Sequence, residues 1–223
     1  MINHSVRRDG PEFDGYYGSV RTPLLDLLGA RRPTAALEIG CGRGANLGEL
    51  KRRFPDCRTT GVELRGDVAQ LPATRGAVDA MHIGDVLDPD AIDFAPGSFD
   101  LLLLSHVLEH FAEPERVIAR ALPWLTPDGR VLIALPNIRH LSVLRELVLH
   151  GDFEYRNAGI LDRTHLRFYT RRSAQRFIAA QGLEIEATRA DVNGSKSRWL
   201  DRATFGLASD FTAFAFNFLA RKG

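Results

Sequence analysis

The sequence predicts an α/β fold with a doubly wound, mostly parallel sheet of seven strands, closed by an antiparallel C-terminal strand. Two observations carry this prediction. Short apolar segments alternate with helix-compatible segments through the first 135 residues, which is typical of a parallel sheet with helices on both faces. In residues 36–44, moreover, an apolar segment ends in a glycine-rich turn and a helix-compatible segment follows.

Five parallel strands are predicted in the first part of the chain. They lie at residues 35–39, 58–62, 80–83, 101–105 and 130–135, with helices between them at 45–53, 67–71 and 113–122. The run from Leu101 to Leu104 is apolar without alternation, as expected of a central strand buried on both faces.

The pattern changes after Pro136. We expect a helix over 138–150, a polar loop over 151–163, and a helix capped by Thr170 that runs to about 181 and ends at Gly182. Strands are predicted at 183–189 and 211–220, the second with Phe214, Phe216 and Phe218 on one face, and a short helix near residue 199. These two strands would form a closing antiparallel hairpin. We expect a single domain over 1–223, in which 1–30 form an N-terminal arm and a short helix (20–28) and 136–182 form a lid on the acceptor side.

Size and charge narrow the function. A chain of 223 residues with 44% hydrophobic residues is long enough for one complete core. A formal net charge of +1 provides no general attraction to nucleic acid or to an anionic membrane surface. Two cysteines do not suggest a disulfide framework. The N-terminal ten residues are polar, and no apolar run approaches the ~20 residues of a membrane span, so we expect a soluble, cytoplasmic protein.

The glycine-rich turn indicates the cofactor. Its glycines, Gly40, Gly42 and Gly44, follow a G-x-G-x-G spacing, whereas dinucleotide sites have G-x-G-x-x-G. Glu38 lies two residues before the first glycine. A carboxylate there would repel a pyrophosphate, but it could accept hydrogen bonds from a cationic amino group. The loop therefore favours S-adenosylmethionine over a nicotinamide nucleotide.

Five ordered landmarks resemble class I S-adenosylmethionine-dependent methyltransferases. They are residues 37–44, 61–63, 84–85, 99–110 and the turn at 125–130. The resemblance implies a Rossmann-like fold, methyl transfer from S-adenosyl-L-methionine and S-adenosyl-L-homocysteine as product. Segments 16–21 and 161–170 resemble bacterial polysaccharide and sugar-modifying methyltransferases. That implies a sugar, nucleotide sugar or glycan hydroxyl as acceptor. The alternatives are an aminosugar nitrogen, a quinone-like phenol, or a non-catalytic cofactor-binding subunit.

Cofactor contacts are expected at consecutive strand ends. The glycines allow close backbone approach, and the first turn of the following helix offers N–H groups to the cofactor's carboxylate. Glu63, 19 residues beyond Gly44, is placed to accept the ribose hydroxyls, as an acid does about 20 residues on in dinucleotide folds. Asp85 suits the adenine amine, and Val86 its ring. The expected cofactor-binding residues are Tyr17, Arg21, Glu38, Gly40, Cys41, Gly42, Gly44, Glu63, Leu64, Asp85, Val86, Ser105 and His106.

The N-terminal arm has two possible roles. Tyr16, Tyr17 and Arg21 could cover the sulfonium or hold the carboxylate, or the aromatic pair could anchor the arm to the core.

A hydroxyl acceptor needs a general base, and histidine is the usual choice. His165, in the predicted lid, is the first candidate and His106, after the fourth strand, the second. His165 could instead bond Asp162 or a backbone carbonyl and order the lid. Arg163 and Arg167 flank His165 and could hold a phosphate or carboxylate of the acceptor.

Residues 106–110 also match the H-x-x-E-H pattern of a zinc peptidase class. Their position directly after a buried strand explains the match without a peptidase, and we expect no metal site, although a metal that assists the acceptor stays open. We further expect a small-molecule acceptor that could carry a phosphate, no nucleic-acid partner, no membrane span, and a monomer or a homodimer.

Overall fold

The computed structural model describes residues 19–69, 78–192, 199, 203–204 and 208–223. Tyr16 and Tyr17 lie outside these residues, as does most of the region around the short helix expected near residue 199.

A seven-stranded sheet forms the centre of the fold, with the strand order β3-β2-β1-β4-β5-β7-β6. Strands β1 to β5 pair in parallel, and β7 lies antiparallel between β5 and β6. The strands are β1 Ala35–Ile39, β2 Arg58–Glu63, β3 Ala80–Ile83, β4 Phe99–Ser105, β5 Leu125–Pro136, β6 Leu183–Val192 and β7 Ala213–Lys222. The structure therefore confirms the predicted fold class.

Helices connect the strands on both faces. They are α1 Thr22–Leu25, α2 Ala45–Arg53, α3 Gly66–Ala69, α4 Pro114–Ala121, α5 Leu141–Arg145, α6 Arg171–Ala180 and α7 Ser209–Thr212. Among these described elements none is long and apolar enough to cross a membrane.

Some predicted boundaries were wrong. Strand β5 begins five residues earlier than expected, and Phe211 belongs to α7 and not to the last strand. The helix predicted over 138–150 begins only at Leu141, because a turn follows Pro136 in which Asn137 bridges to Tyr169. From Glu146 it continues as a π-helical segment, Glu146–His150.

Two apolar cores cover the two faces of the sheet. Leu102 and Leu104 belong to one core, and Leu101 and Leu103 to the other, so β4 is a central strand buried on both sides, as predicted. The predicted phenylalanine face is split, because Phe216 packs in the first core while Phe214 packs against a third, smaller cluster. This double burial fixes the C-terminal end of β4, from which part of the site extends.

The helix α1 and the helical turn that follows it, Asp26–Leu28, cover part of the second core. Leu24, Leu25 and Leu28 are almost completely buried there. Burying each such side chain contributes roughly 1.5–3 kcal/mol to folding. The anchoring holds Arg21, the residue before α1, at the edge of the site.

Candidate functional site

A cavity of about 620 Å³ lies beyond the C-terminal ends of β1, β2 and β4. That volume is typical of a small-molecule site. Ten of the predicted site residues line it: Arg21, Glu38, Gly40, Cys41, Gly42, Glu63, Leu64, Val86, Ser105 and His106. Gly44, Asp85 and His165 are not among the residues that line it. The sequence analysis did not single out Asn46, Phe111 or Thr164, which also line the cavity.

The glycine-rich turn needs its glycines. Gly40, Gly42 and Gly44 have φ values of 69°, 55° and 74°, a left-handed backbone that residues with a Cβ rarely adopt. A Cβ at Gly40 would lie 2.5 Å from Cγ2 of Val107. Gly44 is the N-cap of α2, so its role in the structure is to begin that helix.

Glu38 is a buried carboxyl group with one oxygen left without a partner. Its Oε1 accepts a 2.7 Å hydrogen bond from Asn46 Nδ2, whereas its Oε2 has no hydrogen-bond partner. Burial raises the pKa of Glu38 to about 8, and the Asn46 hydrogen bond offsets this only in part. A buried oxygen without a partner beside a cavity fits the ammonium group of S-adenosylmethionine.

Asn46 joins the N-terminal arm to this carboxyl group. Its Oδ1 accepts a 2.8 Å hydrogen bond from the backbone N–H of Arg21. The sequence did contain one indication of Asn46. It is a polar residue in the first turn of the helix that follows the glycines, and that turn faces the end of the preceding strand. Arg21 thus reaches the site through its backbone as well as its side chain.

Glu63, at the end of β2, fixes the glycine-rich turn. Its Oε2 accepts a 2.9 Å hydrogen bond from the N–H of Gly42, and its Oε1 accepts one of 3.0 Å from the N–H of Arg65. An ionised carboxylate has about four acceptor positions. Glu63 therefore retains capacity for two hydroxyl donors, which fits a ribose diol.

Asp85 and Cys41 have simpler roles in the structure. The Asp85 side chain is exposed, and its Oδ1 accepts a 2.9 Å hydrogen bond from the N–H of Leu87, while Val86 beside it is buried and lines the cavity. Burial, together with the nearby carboxylates, raises the pKa of the Cys41 thiol, so it carries little of the reactive thiolate.

His106 lies at the end of β4 in a strained backbone. Among the described residues other than glycine it alone has a positive φ, 52°. Its N–H donates to the carbonyl oxygen of Ala134 at 3.1 Å, which ties the turn to β5. Strain held by neighbouring structure is common at functional sites. The ring reaches the cavity, with Nδ1 3.4 Å from Oε1 of Glu109.

Glu109 is fully buried below the cavity, and neither carboxylate oxygen has a hydrogen-bond partner. Burial alone would raise the pKa of Glu109, but its contact with His106 and the charge that the rings of His106, His110 and His165 carry when protonated lower the pKa below its ordinary value. In the sequence, Glu109 is marked only by its place in the H-x-x-E-H pattern of residues 106–110.

A short hydrogen-bond chain orients His110. The hydroxyl of Thr164 donates to Asp162 Oδ1 at 2.7 Å, and its oxygen lies 3.0 Å from Nδ1 of His110. Because the single hydroxyl proton is used on Asp162, Nδ1 of His110 must carry a proton and donate it to Thr164. The Nε2 of neutral His110 is then a lone pair.

His165 is buried and stacks edge-on against His110, with ring centroids 4.8 Å apart. Its Nδ1 donates a 2.9 Å hydrogen bond to the carbonyl oxygen of Ile160, while its Nε2 has no partner. Of the alternatives that the sequence left open for this residue, the structure shows the bond to a backbone carbonyl. Burial also lowers the pKa of His165, which keeps the ring neutral.

The arginines beside His165 are not both free to bind an acceptor. The guanidinium of Arg167 donates to the backbone carbonyl of Ala112. The backbone N–H of Arg163 donates to the carbonyl of Arg156 at 2.9 Å.

Comparison with known proteins identifies the family of this chain. A family model described as a methyltransferase domain matches residues 15–188. Nocamycin O-methyltransferase of Saccharothrix syringae is 31% identical over 127 residues, which are 54% of this chain and 44% of that protein. Malonyl-[acyl-carrier protein] O-methyltransferase of Geobacter sulfurreducens is 26% identical over 189 residues, 81% of this chain and 69% of that protein. The match spans less than half the length of some curated relatives, such as 36% of a transposon TN4556 protein of Streptomyces fradiae.

Solved structures share the fold at low sequence identity. A Thermotoga maritima methyltransferase, described as a possible histamine N-methyltransferase, has a TM-score of 0.64 at 15% identity and covers 95% of this chain and 94% of its own. Geranyl diphosphate C-methyltransferase of Streptomyces coelicolor, solved with Mg²⁺, geranyl diphosphate and S-adenosyl-L-homocysteine, has a TM-score of 0.59 at 19% identity, with 90% and 75% coverage. The chain thus shares its overall fold with these methyltransferases.

Proposed function

We propose that this chain, which belongs to the methyltransferase domain family, is an S-adenosylmethionine-dependent methyltransferase that methylates a hydroxyl oxygen of a small polar acceptor. A sugar, nucleotide sugar or glycan is the proposed acceptor class. The observation that carries the hydroxyl assignment is the pair of imidazoles, His106 and His110, on the cavity wall beside the buried carboxylate of Glu109. A hydroxyl needs such a base because a protonated alcohol is a poor nucleophile.

The cofactor side of the cavity would hold S-adenosylmethionine by three contacts. Glu38 Oε2 would accept from the ammonium group, Glu63 would accept from the ribose hydroxyls, and Val86 would pack against the adenine. When bound, S-adenosylmethionine supplies an electrophilic methyl group on a sulfonium. In the proposed transfer the acceptor oxygen would form a bond to that methyl carbon as the carbon–sulfur bond breaks, and the electron pair of that bond would stay on sulfur.

His106 is the proposed proton acceptor. Its ring lines the cavity, and it would take the hydroxyl proton as the oxygen attacks, while Glu109 at 3.4 Å stabilises the resulting imidazolium. His165 was the first candidate for the base, but it is 4% exposed and lies behind His110. In this proposal His165 acts through His110 and Glu109, without touching the acceptor. General-base catalysis of this kind contributes typically 10²–10⁴-fold.

The test is turnover with a panel of sugars, nucleotide sugars, amines and phenols, measured as S-adenosylhomocysteine release and methyl product. We expect methyl ethers from a sugar-type hydroxyl and a loss of about 100-fold or more in kcat for His106→Ala. His140→Ala is the control, since that ring caps α5 away from the cavity. Preferred turnover of an amine or a phenol would replace the sugar assignment. Tight S-adenosylhomocysteine binding without any methyl product would support a non-catalytic subunit.

A further inference from the structure

We propose that Glu109, His110 and His165 bind one divalent first-row transition metal ion at the acceptor end of the cavity. One potential ligand atom from each of the three residues lies within 4.8 Å of the others. Two imidazoles and one carboxylate form a ligand set used by zinc and by non-haem iron, with further positions left open. Small side-chain rotations would bring the atoms to the separations that bonds of about 2.0–2.2 Å require.

The first argument is that Glu109 makes no hydrogen bond within the described residues, although it is 0% exposed. Its nearest polar contacts are with two rings, since Oε1 lies 3.4 Å from Nδ1 of His106 and 3.9 Å from Nε2 of His165. A buried carboxylate without hydrogen bonds is costly, and such groups are paired or coordinate metals in proteins.

The second argument is the direction of the hydrogen bonds around the two rings. Nδ1 of His165 donates to Ile160, and Nδ1 of His110 donates to Thr164, whose own proton is used on Asp162. In the neutral rings both Nε2 atoms therefore present lone pairs. Nε2 of His165 lies 3.9 Å from Oε1 of Glu109, and a ring nitrogen of His110 lies within 4.8 Å of a ligand atom of each of these two residues. A cation can accept electron pairs from both rings and from the carboxylate, which another acceptor could not do.

The hydrogen bonds from Nδ1 of His110 and Nδ1 of His165 are of the kind that usually supports a metal-binding histidine. Such a histidine donates its second N–H to a carbonyl, a carboxylate or a similar acceptor, which fixes the ring and its tautomer. Ile160 provides a backbone carbonyl for His165, and Thr164, itself held by Asp162, provides an oxygen for His110. The loop that carries Thr164 is held in place because the N–H of residue 166 donates to the carbonyl of Glu109 at 2.7 Å.

The location suggests the use of the ion. His110 and Thr164 line the cavity, whereas Glu109 and His165 are buried behind it, so open coordination positions would face the acceptor. A hydroxyl oxygen bound there would be held in place and made more acidic before it is methylated. This role rests on the proposed function, but the metal site itself does not.

The rival occupant is a buried water molecule, which could donate two hydrogen bonds within the cluster. The two occupants differ in stoichiometric metal binding, and this can be measured without any acceptor. The 223-residue chain is stripped with a chelator, dialysed, and titrated with Zn²⁺ against a competing indicator. A parallel titration with Co²⁺ follows visible absorbance. We expect one ion per chain with a dissociation constant of about 1 µM or tighter.

The variants are Glu109→Gln and His165→Asn, with His150→Ala as the matched control. His150 also forms a histidine–glutamate pair, with Nδ1 2.8 Å from Glu146 Oε2, but that pair is exposed and far from the cluster in sequence. We expect each cluster variant to weaken Zn²⁺ binding more than the ~10–100-fold caused by loss of an outer-shell partner. The control variant should bind Zn²⁺ as the unaltered chain does.

Binding of S-adenosylhomocysteine by calorimetry shows whether each variant is folded. Absence of a stoichiometric site in the unaltered chain, or equal Zn²⁺ affinity in all variants, overturns the metal proposal and favours the buried water. If Zn²⁺ binds as expected while no hydroxyl acceptor is methylated, the metal site stands and the proposed acceptor fails.

Discussion

The two halves of the cavity are built in opposite ways. In the cofactor half, Glu63 accepts hydrogen bonds from two backbone N–H groups, and Glu38 keeps a single oxygen open. In the acceptor half, Glu109 has both oxygens unpartnered, and His165 has an unpartnered Nε2. In the cofactor half, the carboxylate oxygens are thus nearly all hydrogen-bonded within the protein. In the acceptor half, several buried polar atoms have no hydrogen-bond partner among the described residues. A site that binds a constant cofactor can be preformed, while the acceptor end is where chemistry and selectivity are added.

The largest expected effect comes from adding one methyl group in the cofactor half. Gly40→Ala places a Cβ 2.5 Å from Val107 Cγ2 at a φ of 69°, so the turn must move. We expect S-adenosylhomocysteine affinity to fall by about 100-fold in calorimetry, which corresponds to about 2.7 kcal/mol.

Gly97→Ala is the matched control for that substitution. Gly97 has nearly the same φ, 68°, but a Cβ there meets nothing within 4 Å. Both variants should therefore lose the ~1–2 kcal/mol of stability that left-handed strain costs, and Gly97→Ala should keep its affinity. An equal loss of affinity in both would mean that the turn is not held against Val107.

A smaller effect separates two acids that look alike in the sequence. Glu63→Ala removes a carboxylate that holds the N–H groups of Gly42 and Arg65 and faces the cavity. We expect an affinity loss of about 30-fold for S-adenosylhomocysteine, since hydrogen bonds to charged groups contribute ~1.5–3 kcal/mol.

Asp85→Ala should change the affinity by less than about threefold, because Asp85 bonds its own turn at Leu87. A comparable loss in Asp85→Ala would instead support the adenine contact that the sequence predicts for this acid. The pair of variants thus decides how much of the cofactor half is formed by side chains that line the cavity.

The cofactor half could be predicted because its signals are local in the sequence. Glu38, Gly40 and Gly42 follow one another at the end of a single strand, and Glu63 ends the adjacent strand. Since parallel strands bring their C-terminal ends to one edge, residue position along the chain was enough to place these groups together. Asp85 shows the limit, because a strand end gives the position of the backbone and not the partner of the side chain.

The acceptor half could not be predicted in the same way. His110 and Thr164 are 54 residues apart and meet because a loop after β5 is held against the backbone carbonyl of Glu109. No local pattern specifies that register, nor that Ile160 holds the His165 ring behind His110. The sequence offered several histidines in the right region, but only their hydrogen bonds distinguish a ring on the cavity wall from a buried one.

The smallest expected effect concerns the one open group of the cofactor half. Glu38 has a pKa of about 8, so in the free protein it is mostly protonated at neutral pH. The ionised form is the partner of an ammonium group, and binding at pH 7 should therefore release a proton. Affinity for S-adenosylhomocysteine should rise about fivefold between pH 7 and pH 8 and level off above that, as the carboxyl group becomes ionised before binding.

The measurement is calorimetry in buffers of different ionisation enthalpy, which counts the protons released. Glu38→Gln is the comparison, because its amide oxygen can still accept from Asn46 but cannot titrate. The variant should bind more weakly, with no such rise between pH 7 and pH 8.

The same raised pKa makes the folded state bind a proton that the unfolded chain loses above pH 4.5, so the carboxyl group lowers stability as the pH rises from there to about 8. Glu38→Gln should therefore show a flatter fall of Tm over that range, and an unchanged pH profile in both measurements would mean that Glu38 is ionised before the cofactor arrives.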